Sequence, residues 1–321
     1  MSRAAEAPAP AAAQPAGGPG RPMVSVVVPT RDRPELLTRA VRSILGQRYE
    51  GPIECIVVFD QTKPALPDVD VPEGRSLRGV SNARTPGLAG ARNSGAMEAA
   101  GELLAFCDDD DEWLADKLRL QVQVLERHPG ASAAGTGIEV RYGTRSVLRP
   151  LPARPTTFRD LLRSRRTELH PSSFLVRRED FLGRIGMVDE SIPGSYAEDY
   201  EWLLRAARVG PIVGPSQPLV RVFWHRSSYF AERWQTIVDA LTYLLDRYPE
   251  FRGEPAGLAR IYGQIAFASA AAGNGREARR WARRCLRVDL RERRAYLAFM
   301  VSVGVPAQLM LRLAHLAGKG I

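Results

Sequence analysis

Apolar and polar positions follow two different periods in the first 60 residues. Residues 24–28 and 53–59 are almost entirely apolar, as expected of strands buried on both faces of a parallel sheet. Between them, residues 35–47 repeat apolar side chains at helical spacing, and Pro34 stands where the first turn of a helix tolerates proline. The pattern predicts a strand–helix–strand unit with a right-handed crossover.

The alternation continues to residue 107, with one irregular stretch. The region up to about residue 85 is rich in proline and glycine and predicts a loop. Residues 87–101 predict a glycine-rich loop that opens a helix, and residues 103–107 predict a third strand. Polar residues follow the three predicted strands in turn: Pro29 with Thr30, then Asp60, then the aspartates 108–111. Ligands bind at this edge of open α/β sheets, so we expect one site there.

The second half has a mixed pattern and then becomes helical. Strand-like runs cover residues 137–142, 173–178 and 219–225, with helical ones at 158–164 and 198–209. From about residue 231 the pattern is helical, and residues 258–290 predict two paired helices. The fold class is therefore α/β, with a mixed sheet flanked by helices. We predict a disordered Ala/Pro/Gly-rich tail over 1–22, a domain over 23–230 with halves 23–128 and 129–230, and a helical region over 231–321.

Composition indicates the cellular compartment and the charge of the binding partner. Three scattered cysteines give neither a disulfide framework nor a metal-ligand spacing, and the first 22 residues lack the apolar core of a secretory signal. We therefore expect a cytoplasmic protein. A net charge of +9 indicates an anionic partner. The chain has no basic-aromatic stacking element, and four acids in the predicted cleft oppose nucleic-acid binding.

An apolar segment near the C-terminus allows two interpretations. Residues 295–318 are mostly apolar and follow the basic run RERR, but Pro306 and Arg312 interrupt them, which argues against a spanning helix. One interpretation is a basic amphipathic helix on the inner face of a membrane, which would make the protein a peripheral membrane protein. The other is a hydrophobic helix packed on the body of the protein.

The aspartates 108–111 directly follow a predicted buried strand. Adjacent carboxylates there become favourable when a divalent cation neutralises them, and Mg²⁺ or Mn²⁺ would complete its coordination with water and substrate phosphates. Such a cation stabilises a departing diphosphate. The alternative is that Asp110 or Asp111 caps a helix beginning near Trp113. That alternative needs one aspartate and does not account for Asp60.

Four segments occur together in a recognisable order: VSVVVPTRDRPELLTRAVRSILGQ, ECIVVFD, GLAGARNSGA and GELLAFCDDDDEW. This set resembles the nucleotide-sugar half of family 2 glycosyltransferases of the GT-A fold, and the resemblance covers residues 23–228. It implies that Pro29, Thr30 and Arg31 hold the nucleotide and that Asp60 contacts the base. The family commonly has two aspartates followed by Gly-Ser where this chain has Phe59-Asp60-Gln61-Thr62.

The resemblance also assigns the aspartates and the Ala-Arg-Asn segment. The family's Asp-X-Asp element corresponds to Asp108-Asp109-Asp110, which implies that Asp110 binds the metal and that Asp108 contacts either the ribose or the groups around the metal ligand. The extra acids leave this register open by one residue. Arg92 and Asn93 correspond to residues near the ribose and diphosphate. The alternative is that both fix the loop before a helix, whose backbone amides bind anions in any case.

The second acidic pair, Glu198-Asp199, begins a predicted amphipathic helix. Inverting transfer needs a base that takes the proton of the acceptor hydroxyl, and the resemblance implies Asp199 in this role, with Glu198 on the acceptor side. The alternative is a pair of acids favoured by the helix dipole. The resemblance further implies acceptor contacts from Ser172 and Ser173, whose alternative is a structural pair in a strand. It also implies a metal or diphosphate contact from His225, whose alternative is a structural histidine.

These observations predict a metal-dependent, inverting glycosyltransferase. Its donor would be a nucleotide-diphosphate sugar, UDP-linked, and its acceptor a hydroxyl on a glycan, a lipid-linked sugar or a small molecule. A nucleotidyltransferase would carry a Gly-rich loop after the first strand, where this chain has PTRDRP. A hydrolase would not need Asp60 on the same edge. A catalytically inactive scaffold acting through the basic C-terminal helices is opposed by the intact acids at both sites.

Overall fold

The computed structural model describes residues 20–224 and 233–316, with side chains described up to residue 311. The strands are Val24–Thr30 (β1), Ile53–Phe59 (β2), Arg75–Ser81 (β3), Leu103–Phe106 (β4), Glu112–Trp113 (β5), Ala133–Ala134 (β6), Gly137–Tyr142 (β7), Arg145–Arg149 (β8), Leu175–Arg177 (β9), Ile212–Val213 (β10) and Pro218–Phe223 (β11). The helices are Pro34–Leu45 (α1), Leu88–Glu98 (α2), Lys117–Arg127 (α3), Phe158–Arg163 (α4), Arg178–Leu182 (α5), Glu198–Val209 (α6), Trp234–Arg247 (α7), Pro255–Ala271 (α8), Gly275–Val288 (α9), Arg293–Ser302 (α10) and Ala307–Leu316 (α11).

The main sheet has seven strands in the order β10-β6-β9-β4-β1-β2-β3. Strands β4, β1, β2 and β3 are parallel, and β9 joins β4 in the antiparallel sense. A second sheet has the order β5-β11-β7-β8. The predicted mixed sheet flanked by helices is confirmed. Because β1, β2 and β4 run in one direction, the residues that follow them meet at one edge.

The predicted loop before residue 85 is wrong in part, because it contains the edge strand β3. Its sequence, RSLRGVS, has neither an apolar run nor strict alternation, and its residues are half-buried or exposed. Its backbone pairs only with β2 within the described sheet, and charged residues are common on such edges. Arg78 of this strand forms an ion pair with the buried Glu54.

Two hydrophobic clusters cover the faces of the sheet. Val26 and Val28 of β1 pack with α1 on one face, whereas Val27 packs with α2 on the other. Residues 89–96 of α2 are all buried. Gly95 allows α2 to lie against the sheet, since a Cβ atom there would overlap the side chains of Val27 and Val58. This close packing holds the start of α2 near the edge where β1 and β2 end.

The aspartates 108–111 form a turn, and the helix-capping alternative is wrong. The backbone N–H of Asp111 donates to the carbonyl of Asp108 at 3.1 Å, and the next two residues form β5 rather than a helix. The following helix, α3, begins only at Lys117, directly after Asp116. Neither Asp110 nor Asp111 is therefore available as its cap.

The C-terminal helices pack on the α/β part of the chain. The predicted pair of helices is present as α8 and α9, and α10 contacts both. Gly257 of α8 approaches the carbonyl of Leu162 in α4 so closely that a Cβ atom there would overlap it. None of the described helices is long and apolar enough to cross a bilayer. The division at residue 230 stays a prediction, and the predicted tail lies largely outside the described residues, which begin at Gly20.

Candidate active site

Arginines and hydroxyl groups surround the aspartate turn. Thr30 Oγ1 donates to Asp109 Oδ2 at 2.7 Å, and the Arg33 guanidinium donates to Asp109 at 3.3 Å and to Asp110 at 3.0 Å. Arg39 of α1 donates to the carbonyl of Asp110 at 2.7 Å. Residues at the end of β1 and just beyond it therefore hold the turn that follows β4.

Burial raises the pKa of three of the four aspartates, and their neighbouring carboxylates add to this effect. The pKa of Asp109 is raised to about 6, although the hydrogen bond from Thr30 and the charge of Arg33 act to lower it. The pKa of Asp110 is also raised, and that of Asp111 lies well above its ordinary value. Burial thus disfavours the ionised carboxylates of this turn, and a cationic ligand would stabilise them.

Two of these aspartates lie beside His170 and could hold a metal ion. Ligand atoms of Asp108, Asp111 and His170 lie within 4.8 Å of one another. Two carboxylates and an imidazole suit Mn²⁺ and also Mg²⁺. Burial lowers the pKa of His170, which favours the neutral imidazole that a metal requires. The donor set therefore fits a divalent cation.

Ser172 lies directly beneath this cluster. Its hydroxyl donates to Asp111 Oδ2 and accepts the backbone N–H of Asp108 at 3.0 Å. It belongs to the short 3-10 helix Pro171–Ser173, which His170 precedes. One segment thus supplies both the imidazole and the hydroxyl group that orients the carboxylates.

Asp60 follows β2 and is held by three hydrogen bonds. Its carboxylate accepts from Asn82 Nδ2 at 2.8 Å, from Gln61 Nε2 at 3.0 Å and from the backbone N–H of Gly87 at 3.0 Å. Burial acts to raise its pKa, but these bonds outweigh burial and lower it. Gln61 has a φ of +57°, the left-handed conformation that glycine adopts most readily, at the position where the resembling family commonly has glycine.

Arg92 of α2 connects the aspartate turn to the second acidic pair. Its buried guanidinium donates to Asp108 Oδ1 at 2.6 Å and to Glu198 Oε1. Burial acts to lower the pKa of Arg92, but the two carboxylates outweigh it and raise the pKa. One permanently charged side chain therefore bridges the two groups of acids that the sequence analysis treated separately.

Glu198 and Asp199 form the first turn of α6. Ala197, directly before them, has a φ of +65°, and Ser195 has a φ of +57°. Such conformations cost energy in residues other than glycine and occur often at functional sites. Their place in the first turn agrees with the alternative in which the helix dipole favours the acidic pair.

Asp199 is paired with Arg165, a residue in the segment after α4. The distances from Arg165 Nη2 to the two carboxylate oxygens are 2.9 and 3.2 Å. Burial acts to raise the pKa of Asp199, but Arg165 and Arg92 outweigh burial and lower it. Burial raises the pKa of Glu198, and the Asp199 carboxylate adds to that effect. The two adjacent acids therefore differ in acidity.

Asn93 bonds to Val188 and Glu190 rather than to the aspartate turn. Its side chain is buried and exchanges hydrogen bonds with the backbone of Val188, and it donates to Glu190 at 2.6 Å. This geometry agrees with the alternative in which Asn93 fixes the loop. Arg31 is exposed at the end of β1, and Pro29 is buried within it.

The remaining predicted site residues are two serines, an aspartate and a histidine. Ser172 and Ser173 lie in a 3-10 helix rather than a strand, and both are fully buried, so neither hydroxyl faces an acceptor in this structure. Asp110, the predicted metal ligand, is half-buried beside Arg33 and lies outside the three-residue cluster. His225 lies outside the described residues.

Sequence analysis missed four residues of the site. His170 stands in LHPSSF, a segment in which only the serines suggested a contact, and Arg33 stands in the loop PTRDRP. Arg165 and Glu190 carry no motif. Glu190 accepts from Arg84, from the backbone N–H of Thr85 and from Asn93, and these bonds outweigh burial and lower its pKa to about 2. Their contacts span roughly 30 to 105 positions, which local patterns do not report.

Comparison with known proteins places these features in a family. Residues 25–185 match the model of glycosyl transferase family 2. A curated relative is the UDP-Glc:alpha-D-GlcNAc-diphosphoundecaprenol beta-1,3-glucosyltransferase WfgD of Escherichia coli. It is 26% identical over 172 residues, which cover 50% of this chain and 67% of the relative. The chain spans from 13% to 67% of the length of the first three curated relatives that it matches.

Solved structures share the fold. The mannosyltransferase PcManGT from Pyrobaculum calidifontis, in complex with GDP-Man and Mn²⁺, superposes with a TM-score of 0.55 and 19% identity, covering 94% of this chain and 89% of that one. Residues 1–349 of S. aureus TarS, in complex with UDP-GlcNAc, superpose with a TM-score of 0.52 and 13% identity, covering 92% of each chain. The family match and this shared architecture lead to one conclusion: the chain belongs to glycosyl transferase family 2 and has the GT-A fold.

Proposed function

We propose that this protein is a metal-dependent glycosyltransferase that moves a sugar, with inversion, from a nucleotide-diphosphate sugar to a hydroxyl acceptor. One observation carries the proposal: the Arg92 guanidinium bonds both Asp108 and Glu198, so the aspartate turn and the acid pair of α6 form one connected site. A transferase needs these two functions side by side, because the hydroxyl attacks the carbon from which the diphosphate departs.

The metal proposal rests on the donor set at the aspartate turn. Asp108, Asp111 and His170 would hold Mg²⁺ or Mn²⁺, and Asp110 stays a proposed ligand on the strength of the family resemblance. The bound cation supplies charge stabilisation for the departing diphosphate. Ser172 orients Asp111, and Arg33 places positive charge on the open side of the turn.

Asp199 is the proposed base. Its lowered pKa keeps the carboxylate ionised, and therefore able to accept a proton, across the neutral range. Arg165 fixes its orientation with bonds to both oxygens. Glu198, beside it, is held by Arg92 and would contact the acceptor side. General-base catalysis of this kind contributes roughly 10²- to 10⁴-fold in rate.

The donor is proposed to be a UDP-linked sugar. Asp60 presents an ionised carboxylate at the end of β2, which would accept a hydrogen bond from the base, and Pro29, Thr30 and Arg31 would line the nucleotide. Asp108, Asp109, Arg92 and Asn93 complete the proposed donor residues. The glucosyltransferase relative is named for UDP-Glc, and the TarS structure contains UDP-GlcNAc. The mannosyltransferase structure contains GDP-Man, so GDP is the competing nucleotide.

The acceptor is proposed to be a lipid-linked sugar. The glucosyltransferase relative is named for a diphosphoundecaprenol acceptor. A lipid-linked acceptor requires the enzyme to work at a membrane surface, and we propose peripheral contact through the C-terminal helices on the inner face. A soluble glycan or a small molecule would need no such contact.

The donor and the stereochemistry can be tested together. Purified enzyme is incubated with a panel of UDP- and GDP-sugars, Mn²⁺ and lipid-linked acceptors, and nucleotide release is measured with and without EDTA. The proposal predicts release from a UDP-sugar that EDTA abolishes, and a product whose anomeric configuration by NMR is opposite to that of the donor. Release from GDP-sugars alone would overturn the UDP assignment, and retained configuration would overturn the role of Asp199.

A further inference from the structure

An exposed apolar face runs along α10 and includes Leu290, which precedes the helix. Tyr296, Met300 and Val303 recur at spacings of four and three, and they are 48%, 44% and 76% exposed. Leu290 is 70% exposed, and its carbonyl accepts a hydrogen bond from the Tyr296 hydroxyl at 2.8 Å. These four side chains form the apolar face. A contiguous group of large exposed apolar side chains marks an interaction surface more often than a solvated one.

Unpaired arginines adjoin this face. Residues 275–294 contain nine arginines and three carboxylates. Arg287, Arg291 and Arg293 are exposed on either side of Leu290, and their side chains have no ion-pair partner in the described part of the chain. Arg276, Arg280 and Arg283 continue the exposed row along α9 at helical spacing, and Arg280 alone of these has a carboxylate, Glu277, at 3.7 Å.

Of the three carboxylates, only Glu277 pairs with an arginine of this row, Arg280. Glu292 is engaged with Arg294, and Asp289 accepts the backbone N–H of Arg291. Glu277 lies one turn from the start of α9, on the far side of the row from Leu290. The arginines nearest the apolar face therefore keep their charge available to an external anion.

We propose that the apolar face and its arginines dock the enzyme on an anionic phospholipid surface. Apolar side chains would enter the boundary between headgroups and acyl chains, while the arginines would pair with lipid phosphates, as in other interfacial helices. A second copy of the chain is a poorer occupant, because a twofold contact through this face would oppose the same unpaired arginines. The proposal rests on the peripheral contact proposed above and names the surface that makes it.

Helix packing connects this surface to the acceptor side of the site. Helix α10 packs on α8. Arg260 of α8 donates to the hydroxyl of Tyr200 at 3.0 Å, and Tyr200 directly follows Asp199. A membrane bound at α10 would thus be attached to the part of the fold that carries the proposed base.

Co-sedimentation with vesicles tests the docking surface. The full chain is mixed with vesicles of phosphatidylcholine alone or with phosphatidylglycerol, at low and high salt. We expect sedimentation with the anionic vesicles only, and weaker binding at high salt. Met300→Asp with Val303→Asp, and separately Arg287→Glu with Arg291→Glu, should each weaken binding at least tenfold.

A matched control and an association measurement decide between the outcomes. Leu148→Asp changes a residue that is 63% exposed in β8 and should leave vesicle binding unchanged. Equal loss in that control, or wild-type protein that ignores anionic vesicles, overturns the proposal. The proposal is also overturned if light scattering shows that wild type is a dimer and that the Met300→Asp, Val303→Asp variant is a monomer. Titration of UDP with Mn²⁺ into that variant tests the proposed donor site separately from the proposed docking surface. Donor binding should be unchanged in the variant, whatever the vesicle experiment shows.

Discussion

The four consecutive aspartates have four different environments, although their side chains are identical. Asp108 faces Arg92, Asp109 faces Thr30, Asp110 faces Arg33, and Asp111 is buried against Ser172. A run of like charges is tolerated because each carboxylate meets a hydrogen-bond donor from another part of the chain, although Asp109 and Asp110 share Arg33. The division also means that single substitutions in the run should differ in their effects.

Ser172 and Ser173 allow a paired test of the aspartate turn. The Ser172 hydroxyl orients Asp111, whereas the Ser173 hydroxyl is buried without a hydrogen-bond partner among the described residues. Ser172→Ala should weaken Mn²⁺-dependent UDP binding by about 10- to 100-fold, the usual effect of removing a group that orients a metal ligand. Ser173→Ala should have little effect. Titration calorimetry measures both, and equal affinities for the two variants would contradict the assignment.

Arg165 should set the pH dependence of catalysis through Asp199. Burial acts to raise the pKa of Asp199, but Arg165 and Arg92 outweigh burial and lower it. The carboxylate therefore becomes protonated, and activity falls, only at a pH below the ordinary pKa of an aspartate. Arg165→Met removes one of these cations and should move the acid limb of the kcat/KM profile to higher pH. Arg165→Lys keeps the charge and should move it less. An acid limb at the same pH in Arg165→Met would show that Asp199 is not the titrating base.

Residue-level inference from sequence succeeded where polar side chains follow an apolar strand. Asp60 and the aspartates 108–111 could be brought to one edge because strand polarity alone decides where they lie. His170 and Arg165 could not, since each reaches the site from a loop whose path depends on tertiary packing. Asn93 has its donor role only from the family resemblance, and its hydrogen bond to the carbonyl of Val188 is a contact that no local pattern indicates.

At the scale of secondary structure, elements with one strong period were predicted closely. The strand over 53–59 and the helix over 198–209 match β2 and α6, because a continuous apolar run and a 3.6-residue stripe each favour one structure. The edge strand β3 was not predicted, since a strand with one pairing neighbour does not need an apolar run. The short strands β5, β6 and β10 have two residues each, too few for any period.

Gly95 should be required for the packing of α2 on the sheet. A methyl group there would overlap Val27 and Val58, and overpacking of this kind costs about 1–3 kcal/mol. Gly95→Ala should therefore lower the free energy of unfolding by about that amount in urea denaturation. Gly130→Ala is the control, because a Cβ atom there meets nothing within 4 Å. Similar stability in both variants would show that α2 can shift to accept the methyl group.

Helix α8 should act on catalysis through Arg260. Arg260 donates to the hydroxyl of Tyr200, which donates to the carbonyl of Leu161 at 2.6 Å, and these bonds hold the start of α6 against α4. Arg260→Met should lower kcat about tenfold, on the order of one hydrogen bond to a charged group, and leave UDP affinity unchanged. Arg260→Lys should recover part of the rate. Loss of UDP binding together with kcat would indicate a general structural role instead.

At the scale of the whole molecule, the two halves of the α/β part meet at Arg92. The parallel strands deliver the aspartate turn and Asp60, while α6 delivers Glu198 and Asp199 from more than 85 residues later in the chain. The C-terminal helices support the second half and carry the proposed membrane surface. The two acidic groups therefore have different proposed functions, although one arginine holds them together.

Titration of UDP in the presence of Mn²⁺ into wild type, Asp111→Asn and Asp199→Asn tests this division of function most directly. We expect that wild type binds, that EDTA abolishes binding, and that Asp111→Asn binds at least tenfold more weakly. Asp199→Asn should bind as wild type does, because a base acts on the acceptor and not on the donor nucleotide. Unchanged binding by Asp111→Asn, or equal loss in both variants, would contradict this division of function.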